Sequence, residues 1–138
     1  MKQIMIHPYL VFQGNCAEAM SFYKDCLDAQ LNLQTIGESP MAKEWPAHLQ
    51  QNILHGTLLK NDTILLMASD MGEPQNEKAK SHVNISLTCT SKEEVTAMYS
   101  KLSSGGVATR PLHDFYMGTI GALTDKYGID WILYYGNN

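Results

Sequence analysis

Several features that define common classes of protein are scarce in this sequence. The 138 residues include only three cysteines, and no two of them form a CxxC pair, so neither a disulfide framework nor a zinc knuckle is indicated. Charged residues make up 17% of the chain, and 14 acidic residues outnumber 10 basic ones, which argues against a general nucleic-acid binder. No apolar run approaches the roughly 18 to 20 residues that span a bilayer. We therefore expect a cytoplasmic protein with no nucleic-acid or membrane partner.

The chain instead contains one pattern of predicted strands and helices, repeated. Each half begins with a predicted strand (4–12 or 82–89) and continues with an amphipathic helix, capped by Asn15 in the first half and by Thr90 or Ser91 in the second. Gly105-Gly106 ends the second helix. Three predicted strands follow in each half: 31–36, 52–59 and 63–68 in the first, and 107–112, 116–124 and 129–135 in the second.

This repetition predicts an α+β fold built from two βαβββ modules. We expect one domain over 1–138, with module one at about 1–70, a polar linker at 71–80 and module two at about 81–138. One module alone is too small to bury its sheet well, so we expect the two to form a curved mixed sheet with a groove and with the helices outside.

The layout and several short motifs resemble the vicinal oxygen chelate superfamily of glyoxalase I, bleomycin-resistance proteins and extradiol dioxygenases. More narrowly, the chain resembles the PhnB-like branch, often labelled 3-demethylubiquinone methyltransferase-like. The resemblance covers about residues 5 to 135 and implies a glyoxalase-like fold and a homodimer with two grooves. The motifs that carry it are Pro8 to Phe12, Gly14-Asn15, Glu18-Ala19-Met20, Phe22-Tyr23, Leu66 to Asp70, Phe115-Tyr116, Gly121, Asp125, Tyr127-Gly128 and Trp131.

The resemblance also implies where a metal is expected. Enzymes of the superfamily hold one divalent ion with His, Gln or Glu side chains, and these positions fall at or near Pro8, Thr57, Asn84 and Ile132. Two of these residues have no side-chain ligand, and the other two are weak neutral oxygen donors, whereas a tight site needs imidazole, carboxylate or thiolate. The expectation is therefore that no cofactor is bound.

A different register leaves a second possibility open. His7 adjoins Pro8, and His55 and His82 each lie two residues before an expected ligand position, hence on the same face of a strand. These three histidines are the alternative site for one divalent ion (Zn, Ni, Mn or Fe), which a metal-dependent lyase, isomerase or dioxygenase requires.

The groove is predicted to bind a small molecule. Asn84, Ser86 and Thr88 alternate with apolar residues, so one face of that strand is polar. A lining of neutral hydrogen-bonding groups suits a neutral or weakly polar ligand. A methyltransferase is a third hypothesis that only the family label supports, because no Gly-rich loop follows the first strand. The predicted groove residues are His55, Thr57, Asn84, Ser86, Tyr116 and Tyr134.

Overall fold

A computed structural model describes residues 5–71 and 83–136 of the chain. The chain divides into two compact units, residues 1–76 (unit 1) and 77–138 (unit 2). The predicted linker, 71–80, lies outside the described residues apart from residue 71. Each unit contains the predicted βαβββ order, so the α+β fold of two such modules is confirmed.

Unit 1 is a four-stranded mixed sheet with one helix on it. The strands follow the order β1-β4-β3-β2, in which β1 pairs with β4 in parallel and the other neighbours are antiparallel. Two short 3-10 turns, Ala42–Glu44 and Ala47–Leu49, interrupt the long loop between β2 and β3. The elements are β1 Tyr9–Val11, α1 Cys16–Leu27, β2 Gln30–Thr35, β3 Ile53–Lys60 and β4 Thr63–Ser69.

The first strand is shorter than predicted. Residues 5–8 are not part of it, although the prediction ran from residue 4 to residue 12. Pro8 has no N–H to donate to a ladder, and β1 is an edge strand, so few interactions extend the strand toward the N-terminus. The carbonyl of Pro8 still accepts a hydrogen bond from Met67 N at 2.9 Å.

The helix of unit 1 is buried along the face that its spacing predicts. Its N-terminal capping differs from the prediction, because the Asn15 side chain makes no capping hydrogen bond to α1. Asp70, at the end of β4, replaces it: its Oδ1 accepts from Gly14 N at 2.8 Å and from Cys16 N at 3.0 Å. Its Oδ2 accepts from Ile53 N at 2.8 Å, so one carboxylate joins α1, β3 and β4. The buried residues of α1 are Cys16, Ala19, Met20, Tyr23, Cys26 and Leu27.

Unit 2 repeats this topology with the order β5-β8-β7-β6, and β5 pairs with β8 in parallel. Ser91 Oγ accepts from Glu94 N at 3.0 Å, which confirms one of the two predicted caps of α2. Trp131 is 1% exposed and packs in the core under α2, as its position in the strand predicts. The elements are β5 Ile85–Thr88, α2 Lys92–Ser103, β6 Val107–Phe115, β7 Gly118–Thr124 and β8 Asp130–Gly136.

Two tight turns contain residues with positive φ. Ser104 has φ −60° and ψ 122°, Gly105 has φ +76°, and Gly106 N donates to Ser103 O at 2.9 Å, which is a type II turn directly after α2. In unit 1, Asn61 and Asp62 both have positive φ and form the two-residue hairpin loop between β3 and β4.

Candidate functional site

Each sheet has one face covered by its own helix, and we call the other face the open face of that unit. On the open face of unit 1, the strand register aligns Tyr9, Met67, Thr57 and Asn32 in one row across β1, β4, β3 and β2. Directly paired residues share a face of the pleat, so these four side chains project to the same side. His55 lies two residues before Thr57 on β3 and adds an imidazole beside the row.

On this face, Thr57 is hydrogen-bonded to His55, and the His55 ring lies beside the ring of Tyr9. The Thr57 hydroxyl Oγ1 lies 3.2 Å from His55 Nε2. The rings of Tyr9 and His55 have centroids 6.1 Å apart and planes tilted by 37°. Tyr9 is 49% exposed, which leaves much of its ring free for contact. The sequence prediction that His55 and Thr57 share a face agrees with this arrangement.

No side chain of Asp, Glu, Lys or Arg projects from the described open face of unit 1. The register places Gln30, Asn32 and Gln34 of β2 on this face. The nearby charged groups are engaged elsewhere: Asp70 binds three backbone N–H groups, and Lys60 Nζ donates to Leu27 O at 2.7 Å. Unit 1 therefore presents a surface of neutral donors and acceptors with aromatic and thioether side chains.

The open face of unit 2 is more apolar and carries charge at two places. One row consists of Ser86, Ile132, Ala122 and Arg110, on β5, β8, β7 and β6. Asp130 lies two residues before Ile132 on the same face, and it accepts a hydrogen bond from the Thr124 hydroxyl at 2.6 Å. The groove predicted from sequence was entirely neutral, so Arg110 and Asp130 are residues that the prediction missed.

The predicted groove residues of unit 2 lie on two strands, before a strand and in a turn. Ser86 is exposed on the open face, and Asn84 is exposed just before β5 begins. Tyr134 is half-buried on β8, and its hydroxyl donates to Met117 O at 3.1 Å. Tyr116 is 90% exposed in the turn between β6 and β7, where its ring meets Phe115 edge-on. The strand predicted over 116–124 in fact begins at Gly118, so Tyr116 is a turn residue.

The residues present do not fit the metal that the superfamily implies. Thr57 and Ile132 lie on open faces, but the first offers a hydroxyl already in contact with an imidazole and the second offers no ligand. Within residues 5–71 and 83–136, no three His, Cys, Asp or Glu side chains are grouped so as to hold an ion. His82 of the alternative site lies outside the described residues, so that hypothesis remains a prediction.

The three cysteines are buried, as their positions on apolar faces predict, and none forms a disulfide. Burial, with the negative charge of Asp70 nearby, raises the pKa of the Cys16 thiol from 9.0 to about 12. A thiol in this state is a poor nucleophile near neutral pH. Cys16, the first residue of α1, therefore has a packing role rather than a chemical one.

The two βαβββ units define a protein of the glyoxalase and bleomycin-resistance fold. A glyoxylase/bleomycin resistance protein/dioxygenase domain from Frankia sp. EAN1pec has this fold, with a TM-score of 0.66 at 16% identity, covering 100% of this chain and 95% of that one. A family model described as 3-demethylubiquinone-9 3-methyltransferase matches residues 4–134. The chain therefore belongs to this PhnB-like family.

Relatives at higher identity span almost the same length. The Protein YjdN of Escherichia coli K12 is 26% identical, over 93% of this chain and 92% of that protein. The structure of protein PA1353 from Pseudomonas aeruginosa has 32% identity and a TM-score of 0.81, with coverage of 97% and 98%. A PhnB protein from Bacillus cereus, described as a putative 3-demethylubiquinone-9 3-methyltransferase, has 25% identity and a TM-score of 0.75, with coverage of 95% and 98%.

Proposed function

We propose that this protein binds a small uncharged molecule on the open face of unit 1, without a metal ion. The observation that carries the proposal is the row from Tyr9 to Asn32, which offers hydrogen bonds and ring contacts but no charge. Burying a charged ligand against such a face leaves its charge without a partner, which costs more than binding a neutral molecule of the same shape.

The side chains of this face favour a ligand that has a flat ring and one polar group. The Tyr9 and His55 rings and the Met67 thioether provide surfaces on which an aromatic ring packs well. The Thr57 hydroxyl and the Asn32 amide provide both donors and acceptors within the same row. An aromatic ring that carries an amide group or a hydroxyl group satisfies both requirements.

The methyl transfer named in the family description is not what we propose. A methyl-donor cofactor commonly binds beside a Gly-rich loop after the first strand of a doubly wound parallel sheet. Both sheets are mixed, and among the described strands only β1–β4 and β5–β8 pair in parallel. The N-terminus of α1, where such a loop presents free N–H groups, is already bonded to the Asp70 carboxylate. Failure to bind S-adenosylmethionine is the result we expect in a calorimetric titration.

We also infer a homodimer located in the cytoplasm. The strands β1 and β5 are edges of their sheets, and exposed apolar residues stand beside them: Ile6 is 92% exposed and Val83 is 72% exposed. Such edges favour pairing with another chain. None of the described helices is long and apolar enough to cross a membrane. Light scattering at micromolar concentration is expected to give twice the chain mass of 15.4 kDa, and a monomer mass would contradict the dimer.

The ligand class is tested with one neutral and one charged probe of matched shape. In amide NMR spectra, 3-phenylpropionamide is expected to shift the signals of His55, Thr57 and Met67 in a saturable way, whereas 3-phenylpropionate leaves them unchanged. The variant Thr57→Val keeps the shape but removes the hydroxyl, and it should weaken amide binding several-fold. Thr63→Val, on an exposed residue at the far end of β4, is the matched control and should have no effect. Equal shifts with both probes, or none with the amide, would refute the proposal.

The absence of a metal is tested separately. Protein purified without chelators is analysed for metals, stripped, and titrated with zinc, nickel and manganese by calorimetry. We expect no stoichiometric binding. One metal per chain, lost in His55→Ala and His82→Ala, would instead support the metal-dependent lyase, isomerase or dioxygenase described above.

A further inference from the structure

We propose that Arg110 makes the open face of unit 2 a second site, which binds a small amphipathic carboxylate. In this site the guanidinium pairs with the carboxylate, and the apolar body of the ligand lies on Ala122 and Ile132. The inference goes beyond the proposed function, because it concerns a different unit and a ligand of opposite character.

The charge of Arg110 is available for a ligand. Arg110 is the single arginine of the chain, it is exposed, and within the described residues its guanidinium makes no ion pair or hydrogen bond. Lys92, another cation of unit 2, is in contrast bound to Asp114 at 3.3 Å. Asp130, the acid on the same open face, accepts from Thr124 instead.

The backbone holds Arg110 in a defined position. The pairing of β6 with β7 shifts register on both sides of Arg110, and such irregularities redirect individual side chains. The Tyr99 hydroxyl lies 3.0 Å from Arg110 O and 2.8 Å from Ala122 O, so its one proton is shared between the two carbonyls. Tyr99 is 8% exposed, and burial raises its pKa, which keeps this hydroxyl protonated as a donor. Pro111, the next residue, fixes its own φ and restricts the backbone of Arg110 before it.

The surface beside Arg110 is apolar over a length that suits a small ring. Neighbouring strands lie about 4.8 Å apart, so the Cα atoms of Arg110 and Ile132, two strands apart, are separated by roughly 10 Å. Ala122 lies between them, and Ile120 is in the next row of the same face. A phenyl or short alkyl body covers this surface when its carboxylate is at the guanidinium.

The residue type favours a carboxylate with an apolar body. The guanidinium presents a planar fork of donors that matches the two oxygens of a carboxylate. Free phosphate matches the fork as well, but it gains nothing from Ala122 and Ile132. The net charge of −4 repels anions from the chain as a whole, so contact between the apolar body of the ligand and the sheet has to select the carboxylate over other anions.

The proposal is tested on the full chain by NMR titration with 3-phenylpropionate, 3-phenylpropionamide and inorganic phosphate. We expect 3-phenylpropionate to shift the amides of Arg110, Ala122 and Ile132, with an affinity at least tenfold higher than that of phosphate or of the amide probe. Arg110→Gln should lower this affinity at least tenfold. Arg110→Lys keeps the charge but loses the planar fork, and it should lower the affinity several-fold.

Controls separate this site from general electrostatics and from the site in unit 1. Lys101→Gln removes an exposed cation at the end of α2 and should not change binding. Circular dichroism of Arg110→Gln checks that its fold is retained. If the fold is lost, the several-fold loss of affinity expected in Arg110→Lys tests the proposal instead. Unchanged affinity in Arg110→Gln, an equal loss in Lys101→Gln, or equal binding of phosphate would overturn the proposal. Shifts at His55 and Thr57 with the amide probe report on the proposed function alone, so the two proposals fail independently.

Discussion

Removal of the Asp70 carboxylate is expected to destabilise unit 1 specifically. The side chain satisfies three backbone N–H groups, two at the start of α1 and one at Ile53. Loss of a helix cap costs about 1 to 2 kcal/mol. Loss of the acceptor for a partly buried N–H costs about another 1 to 2 kcal/mol. Asp70→Ala should therefore lower the free energy of unfolding by about 2 to 4 kcal/mol, a large share of the roughly 5 to 15 kcal/mol typical of a domain.

The assay is urea denaturation followed by circular dichroism, combined with native-state hydrogen exchange. Exchange at Leu58, which is fully buried on β3, should accelerate, whereas exchange at Leu133 in unit 2 should change much less. Asp70→Asn keeps one acceptor oxygen and should lose about half as much stability. The matched control is Asp62→Asn, which makes the same substitution in the exposed hairpin loop. A loss for Asp70→Ala below about 1 kcal/mol, or one no larger than the control, would refute the role of this carboxylate.

Three further outcomes are expected. The pKa of Cys16 is raised from 9.0 to about 12 in the folded chain, so the stability that its thiol contributes is full below pH 9 and is lost as pH rises toward 12. In Cys16→Ala, the free energy of unfolding from urea titrations should therefore depend less on pH over that range. Ser91→Ala should cost about 1 kcal/mol of stability through the lost cap, and a smaller loss in exposed Thr96→Ala would show that the effect belongs to the cap. Asp125→Asn should change the emission spectrum of Trp131, because the carboxylate oxygen 2.8 Å from the indole Nε1 is replaced or turned away. An unchanged spectrum would contradict that bond.

The fold was predictable because its signals are local. The helix faces follow from residue spacing, and the six buried residues of α1 recur every three or four residues along one face. The hairpin between β3 and β4 follows from Asn61-Asp62, whose backbone adopts the positive φ values of a two-residue loop. Ser91 was one of the two predicted caps, and the N–H group that it binds belongs to Glu94, only three residues away.

The features that escaped prediction depend on contacts distant in sequence or on irregular pairing. The cap of α1 comes from Asp70, which is 56 residues from Gly14, so Asn15 was the nearest visible candidate but not the one used. Arg110 was missed because simple alternation along β6 fails where the register shifts. Arg110 is the single arginine of the sequence, which makes it a candidate for binding an anion, but composition alone does not show which face of the sheet it lies on.

The Asp70 carboxylate also has a consequence for the order of assembly. The parallel pairing of β1 with β4 and the capping of α1 both require the last strand of unit 1, so neither forms while the chain is only partly synthesised or partly folded. Contacts this distant in sequence close a long loop before they contribute stability, which slows folding relative to a unit of local hairpins. Until β4 is in place, α1 is a short helix without its N-terminal acceptor, and the edge next to β3 is uncovered. A chain cut before Thr63, which lacks both β4 and Asp70, should therefore collapse without acquiring the fold of unit 1.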